Sequence, residues 1–307
     1  MQPYELLFLK SMKFNVIVLL ALFAILTGCE KETKMEILQK SIDQRLDGVV
    51  GNFAVAYLDL NSGDTLLMNS RRIFHAASTM KTPVLIEVYK QASEGKFNLT
   101  DSIEIKTTFI SLADGSEYTL PASSDSEKSL YEMVGKKKTI ASLTYDMVIK
   151  SSNLATNLIV ELVGADNATN SMRELGAHDI QVLRGVEDLK AYEEGMNNIT
   201  TAYDLMLIFS ELARGNLVSE GASAEMVDIL MDQQFNHIIP AKLPANVKVA
   251  HKTGAITGVQ HDSGIVFLPD GGSYVLILLS SDHGDREAAE EALADISKII
   301  YDFKVSR

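Results

Sequence analysis

One cysteine, no tryptophan and six prolines are all that these 307 residues carry of three residue types that often dictate architecture. The lone Cys29 closes no internal disulfide and has no second thiolate with which to share a metal, so a disulfide scaffold and a cysteine metal site are both excluded. Positive charge is scarce as well. Twenty-eight Lys and Arg against 41 Asp and Glu give a net charge of -13, which leaves no basic footprint for nucleic acid and makes anionic lipid repel the body of the protein. The six histidines are too scattered to suggest a metal site, and neither a metal nor an organic cofactor is expected. Long apolar runs are missing too: the longest, Val16 to Leu26, is too short to cross a bilayer comfortably.

That run follows Lys13 and ends in Leu26-Thr27-Gly28-Cys29, with small residues before the cysteine as at a cleavage site, so the segment reads as an export signal. It resembles a bacterial lipoprotein signal. The resemblance implies removal of residues 1–28, lipid on Cys29, and attachment to a bacterial cell membrane facing the periplasm or the cell exterior. An ordinary cleaved signal with an incidental cysteine is the alternative. Met1 to Ser11 precede the signal proper, so the initiator is either Met1 or Met12. Residues 29–34 read as a short polar tether, and folding is expected to begin near Met35.

Apolar Ile37, Leu38, Ile42 and Leu46 stand at helical spacing, which predicts an amphipathic helix over 35–46. Phe53 to Leu60 and Thr65 to Asn69 read as two strands joined by the turn Asn61-Ser62-Gly63-Asp64. A helix is expected from Ser78, ended by Gly95, with Pro83 making its first turn irregular. Residues 106–138 have no sustained period. Helices follow over 142–150, 153–163 and 168–175, then a polar loop over 185–198, a helix opened by Thr200 and running through Ala213, and one more over 222–233. Three strands, 247–252, 263–268 and 273–280, precede a closing helix over 287–303.

This order predicts an α+β fold: a five-stranded antiparallel sheet covered by helices from both chain ends, with a mostly helical insertion. The expected division gives residues 35–77 and 214–307 to the sheet part and 78–213 to the helical part. A cleft is expected at the seam between them. No internal repeat is visible, and nothing points to an oligomeric state.

Ser78 and Lys81, at the mouth of an apolar segment, lie three apart and so share one face of a helical turn. A serine hydroxyl becomes a nucleophile when a neighbouring base takes its proton, and a lysine serves when burial or positive charge depresses its pKa. By itself the pattern fits an N-capping serine with an exposed lysine better, so the case rests on its companions. Its companions are Ser151-Ser152-Asn153 in the helical middle, Lys252-Thr253-Gly254-Ala255 at the end of a strand, and Glu187 in the acidic loop.

SxxK, SxN and KTG in this order resemble the class A β-lactamase and penicillin-binding protein superfamily, over roughly residues 35 to 305. The resemblance implies a serine hydrolase that opens β-lactams through an acyl-enzyme on Ser78, with Lys81 as base or proton relay. It makes Ser151 the donor to the leaving nitrogen and Glu187 the base for deacylation. Asn153, Lys252, Thr253, Gly254 and Ala255 would bind substrate, and the backbone N–H groups of Ser78 and Ala255 would form an oxyanion hole. A D-alanyl-D-alanine peptidase, amidase or esterase acting on cell-wall fragments is the alternative. A non-catalytic envelope binding protein is a third reading, at odds with retention of Ser78, Lys81 and Lys252.

Departures are plain. The family's SDN is Ser151-Ser152-Asn153 here, which removes a carboxylate used for structural hydrogen bonding at that turn. The deacylation loop lacks the usual proline, is about two residues short and has Ala191 where an asparagine is expected, so Asp188 is the second candidate base and a merely solvated acidic loop is the alternative to both. His261 stands where an arginine often follows KTG, and is the expected substitute in carboxylate binding.

Overall fold

Two distant pieces of chain build the central sheet of this computed structural model, which describes residues 33–306. The signal and Cys29 lie outside the described residues. Strands β1 (Asn52–Asp59) and β2 (Thr65–Met68) form the first hairpin, and β3 (Lys248–Ile256), β4 (Val259–Phe267) and β5 (Ser273–Ser281) form a meander. The order is β2-β1-β5-β4-β3, every neighbour antiparallel. This is the five-stranded antiparallel sheet that the sequence predicts.

β1, β4 and β5 are buried on both faces; β1 and β5 accordingly read as near-continuous apolar runs and not as alternating ones, whereas β4 carries the buried polar stretch Gln260-His261-Asp262-Ser263. Val275, Ile277 and Leu279 join the core that continues into the helical part, while Leu276 and Leu278 are buried on the opposite face. Each such side chain contributes about 1.5–3 kcal/mol of burial. At the first hairpin Asp59 accepts from the backbone N–H groups of Asn61 (2.9 Å) and Ser62 (3.1 Å), and its other oxygen takes Lys304 Nζ at 2.6 Å. One buried carboxylate thereby ties the turn to the closing helix.

Nine helices run in order among the described residues: α1 (Lys34–Leu46), α2 (Lys81–Ser93), α3 (Ile140–Ile149), α4 (Asn153–Val163), α5 (Ala165–Glu174), α6 (Leu189–Glu193), α7 (Ala202–Ala213), α8 (Glu220–Met231) and α9 (Arg286–Val305). None is long and apolar enough to cross a membrane. Two expectations need correction. Thr200 does not open α7: it pairs with Phe74 in a short ladder, and Thr201 caps the helix by accepting from Asp204 N at 3.1 Å. α7 also lies against β1, β4 and β5, so the helix assigned to the helical part covers the sheet through buried Leu205, Ile208, Phe209 and Leu212.

The loop over 185–198 is more ordered than its polar composition predicts. It contains α6, whose N-cap Asp188 accepts from Ala191 N at 3.2 Å.

Candidate active site

The nucleophile turn begins where Ala76 N donates to Asn198 O at 2.8 Å. Ala77 then takes φ 45, a left-handed conformation that costs a non-glycine residue about 1–2 kcal/mol. Residues Ala77–Met80 form a 3-10 turn before α2 starts at Lys81. Pro83 is the third residue of α2, where a helix has no use for its backbone N–H, so the irregular first turn takes this shape. Ser78 is partly exposed into the cleft, and Lys81 is fully buried beneath it.

β3 runs flush against this turn. A Cβ on Gly254 would come within 3.1 Å of Thr79 N and 3.2 Å of Ala76 O, both backbone atoms. Gly254 therefore serves strand-to-turn contact, a role other than the substrate binding that the resemblance implies for it.

Two lysines converge on one hydroxyl. Lys81 Nζ donates to Ser151 Oγ at 3.0 Å and to Ser151 O at 2.7 Å, and lies 3.3 Å from Asn153 Oδ1. Lys252 Nζ reaches the same Ser151 Oγ at 3.1 Å and also donates to Thr253 O at 2.9 Å. Burial pushes both amines down, Lys252 to about 7. For Lys81 the charge of Lys252 adds to burial, against Asp125 and Glu187, and the result lies well below 10.5. Such a pair readily supplies a neutral amine to a hydroxyl. Ser151 itself has φ 55, a second left-handed residue at the site.

Glu187 faces Asn153, whose Nδ2 donates to Oε1 at 3.1 Å. Partial desolvation in the cleft raises this carboxyl above its ordinary range while Lys81 opposes the shift. The loop that presents it is fastened from below. Asn157 Oδ1 accepts from Val186 N at 2.6 Å and its Nδ2 donates to Val186 O at 3.0 Å, so both ends of one amide grip the backbone of one residue. Gly185 has to be glycine here, since a Cβ would sit 2.4 Å from Asn157 Oδ1. Asn198 Oδ1 accepts from the N–H groups of Leu183 and Arg184 at 2.7 and 3.1 Å and closes the loop. Asp188 is buried and spends its carboxylate on Ser111 Oγ and Leu112 N, both at 2.8 Å, besides the cap of α6.

Ser78, Asn153, Glu187 and Ala255 line a cavity of about 330 Å³ between the nucleophile turn, this loop and the end of β3. Ser78, Asn153 and Ala255 also border a second lobe of about 200 Å³ with Ser151 and Thr253. His261 is the exception among the expected residues. It is fully buried, with Nε2 2.9 Å from His75 O and Nδ1 2.8 Å from Gln260 O, and burial lowers its pKa to about 4. The expectation that His261 touches substrate is therefore corrected: it packs behind the nucleophile turn. The cation at the mouth of the second lobe is Arg286, with His237 beside it. Arg286 starts a helix far along the chain, and no sequence signal marks it.

A serine at a turn, exposed into a cleft and flanked by buried amines on an α+β scaffold, is the arrangement that a serine hydrolase requires. The model of the β-lactamase enzyme family matches residues 36–303, and the chain belongs to that family. It is a hydrolase of the class A β-lactamase type. β-Lactamase VEB-1 of Pseudomonas aeruginosa is 24% identical over 97% of this chain and 100% of its own, and a β-lactamase of Bacteroides uniformis is 23% identical over 95% and 99%. Among solved structures, the β-lactamase of Sphaerobacter thermophilus is 27% identical with a TM-score of 0.75, covering 87% of this chain and 97% of its own. TLA-1 extended-spectrum β-lactamase shares the fold at 19% identity, with a TM-score of 0.77, over 89% and 100%.

Proposed function

We propose that the protein opens β-lactam rings through an acyl-enzyme on Ser78. The observation that carries this reading is the meeting of Lys81 and Lys252 at Ser151 Oγ, at the edge of the cleft that holds Ser78. Ser78 Oγ bonds to the lactam carbonyl carbon as its proton leaves through Lys81. The C–N bond breaks, and Ser151 passes a proton to the departing nitrogen. Backbone N–H groups of Ser78 and Ala255 stabilise the oxyanion. Water then attacks the ester, gives its proton to Glu187 and frees Ser78. Asn153 binds the substrate's amide side chain, and Lys252 and Thr253 bind its carboxylate.

Purified protein treated with penicillin should gain one acyl mass, and a chromogenic cephalosporin should turn over continuously. Ser78→Ala should lose both. An adduct persisting on Ser78→Ala would show the nucleophile to be another residue. One stoichiometric adduct without turnover would favour the cell-wall peptidase reading instead. Buried, apolar Ala191 in the water-activating loop is the observation on the side of that second reading.

Arg286 supplies the positive charge expected of His261. Arg286→Ala should raise KM for carboxylate-bearing substrates about tenfold, in line with loss of a charge-assisted bond of about 1.5 kcal/mol, and leave kcat nearly unchanged. An unchanged KM would remove Arg286 from the site.

Lipid on Cys29 is the proposed membrane anchor, supported by Leu26-Thr27-Gly28-Cys29 after an apolar run. Cys29→Ser should move the protein from the membrane to the soluble fraction. Wild-type protein found unlipidated would end this reading.

A further inference from the structure

We propose that Asp125, from a segment outside every motif, is the positioning carboxylate of the Ser151-Ser152-Asn153 turn. The role rests on the acylation chemistry proposed above. The turn starts α4, whose first N–H groups need acceptors. Ser152, the fully buried N-cap, accepts only from Ala155 N, at 3.2 Å. Its short hydroxyl leaves Leu154 N over. Asp125 Oδ2 takes that N–H at 2.7 Å, and also accepts from Ser152 Oγ at 3.3 Å and Tyr131 OH at 3.1 Å. Asp125 Oδ1 accepts from Glu127 N at 2.9 Å. With four donors and 4% exposure, this is a built carboxylate site and not a solvated surface acid.

The same segment laces the other side of the turn. Ser126 Oγ donates to Lys150 O, and Asn153 Nδ2 reaches Ser124 O at 3.3 Å. Ser151 is thereby held at its positive φ, with hydroxyl and carbonyl both aimed at Lys81. Asp125 also places negative charge opposite Lys81, which otherwise faces the charges of Lys252 and Glu187. Around Asp125 stand Tyr131 and Glu127, the latter paired with Lys150. A carboxylate missing from the middle of the SxN turn has thus been supplied from across the fold.

The exchange of the two side chains tests this. An aspartate at an N-cap reaches the second and third N–H groups of its own helix, here those of Leu154 and Ala155. In the full-length enzyme, Asp125→Ser should lower the acylation rate constant for a chromogenic cephalosporin about 100-fold, the scale expected of a small misplacement of catalytic groups. Adding Ser152→Asp to it should recover most of that loss. Asp125→Asn retains shape and loses charge, so Lys81, followed by the 13C shift of its Cε methylene, should titrate at lower pH than in wild type. An exchange variant that melts like wild type yet acylates no faster than Asp125→Ser would overturn the proposal. So would Asp125→Asn with unchanged acylation and an unchanged Lys81 midpoint. The Lys81 titration needs no substrate, so it decides the role of Asp125 even where wild type forms no adduct on Ser78 and the acylation reading itself fails.

Discussion

Glu187→Gln is expected to trap the acyl-enzyme: the burst of acylation stays nearly intact, while steady-state turnover falls by about 10²-fold or more. A positioned general base contributes roughly 10² to 10⁴ to such a step, and an ester without one meets water slowly. Glutamine keeps the oxygen that accepts from Asn153 Nδ2, so the loop should hold its place while the base is lost. Because burial raises the carboxyl and a base acts only when ionised, deacylation in the parent should fail with falling pH earlier than an ordinary carboxylate would dictate. Rapid-quench mass analysis between pH 4 and 8 reads both effects. Asp188→Asn should act differently, weakening the Ser111 and Leu112 bonds and lowering thermal stability without trapping the adduct. Trapping by Asp188→Asn with normal turnover by Glu187→Gln would reverse the assignment.

Lys81→Met should remove acylation, by a factor of about 10² to 10⁴, and should also flatten the dependence of stability on pH. The folded protein releases the Lys81 proton well below 10.5, whereas the unfolded chain keeps it until about that pH. Between those two values the unfolded state binds more protons, so wild-type stability rises with pH across that window. Lys252 acts in the same direction between about 7 and 10.5. Methionine at position 81 deletes one of the two contributions. Melting temperatures from pH 7 to 10 should therefore climb less steeply in Lys81→Met than in wild type. Equal slopes would mean that Lys81 is charged in the folded protein, and a parental acylation rate would remove it as the base or relay.

The strands of the hairpin and the meander were legible because their apolar runs, bounded by Asn61-Ser62-Gly63-Asp64 and Pro269-Asp270-Gly271-Gly272, are local signals. α4 begins at Asn153 and ends at Val163, as its periodicity predicts. α6 was hidden, since five residues carry too little periodicity to read, and its existence depends on Asp188 being held by Ser111 and Leu112. His261 was misread for a related reason. The strand expected over 263–268 begins at Val259, so His261 stands on β4 opposite Gly254, and spacing after KTG is silent on which face of that strand looks at the cleft.

What the sequence by itself determined is the chemistry on each short stretch: a serine three residues from a lysine, a capped SxN turn, a KTG strand end, and the period of each helix and strand. These are set by contacts within a few positions, which local hydrogen bonding and side-chain direction dictate. Tertiary structure alone decided how the stretches meet. Lys81 and Lys252 reach Ser151 across 70 and 101 residues of chain, and Asp125 reaches Leu154 across 29. The Lys252 contact forms only when the sheet and the helical part close on each other, while the other two form as the helical part folds on itself. That closure buries the amines and lowers their pKa values, and it puts Arg286 at the mouth of the cleft and His261 behind the nucleophile turn.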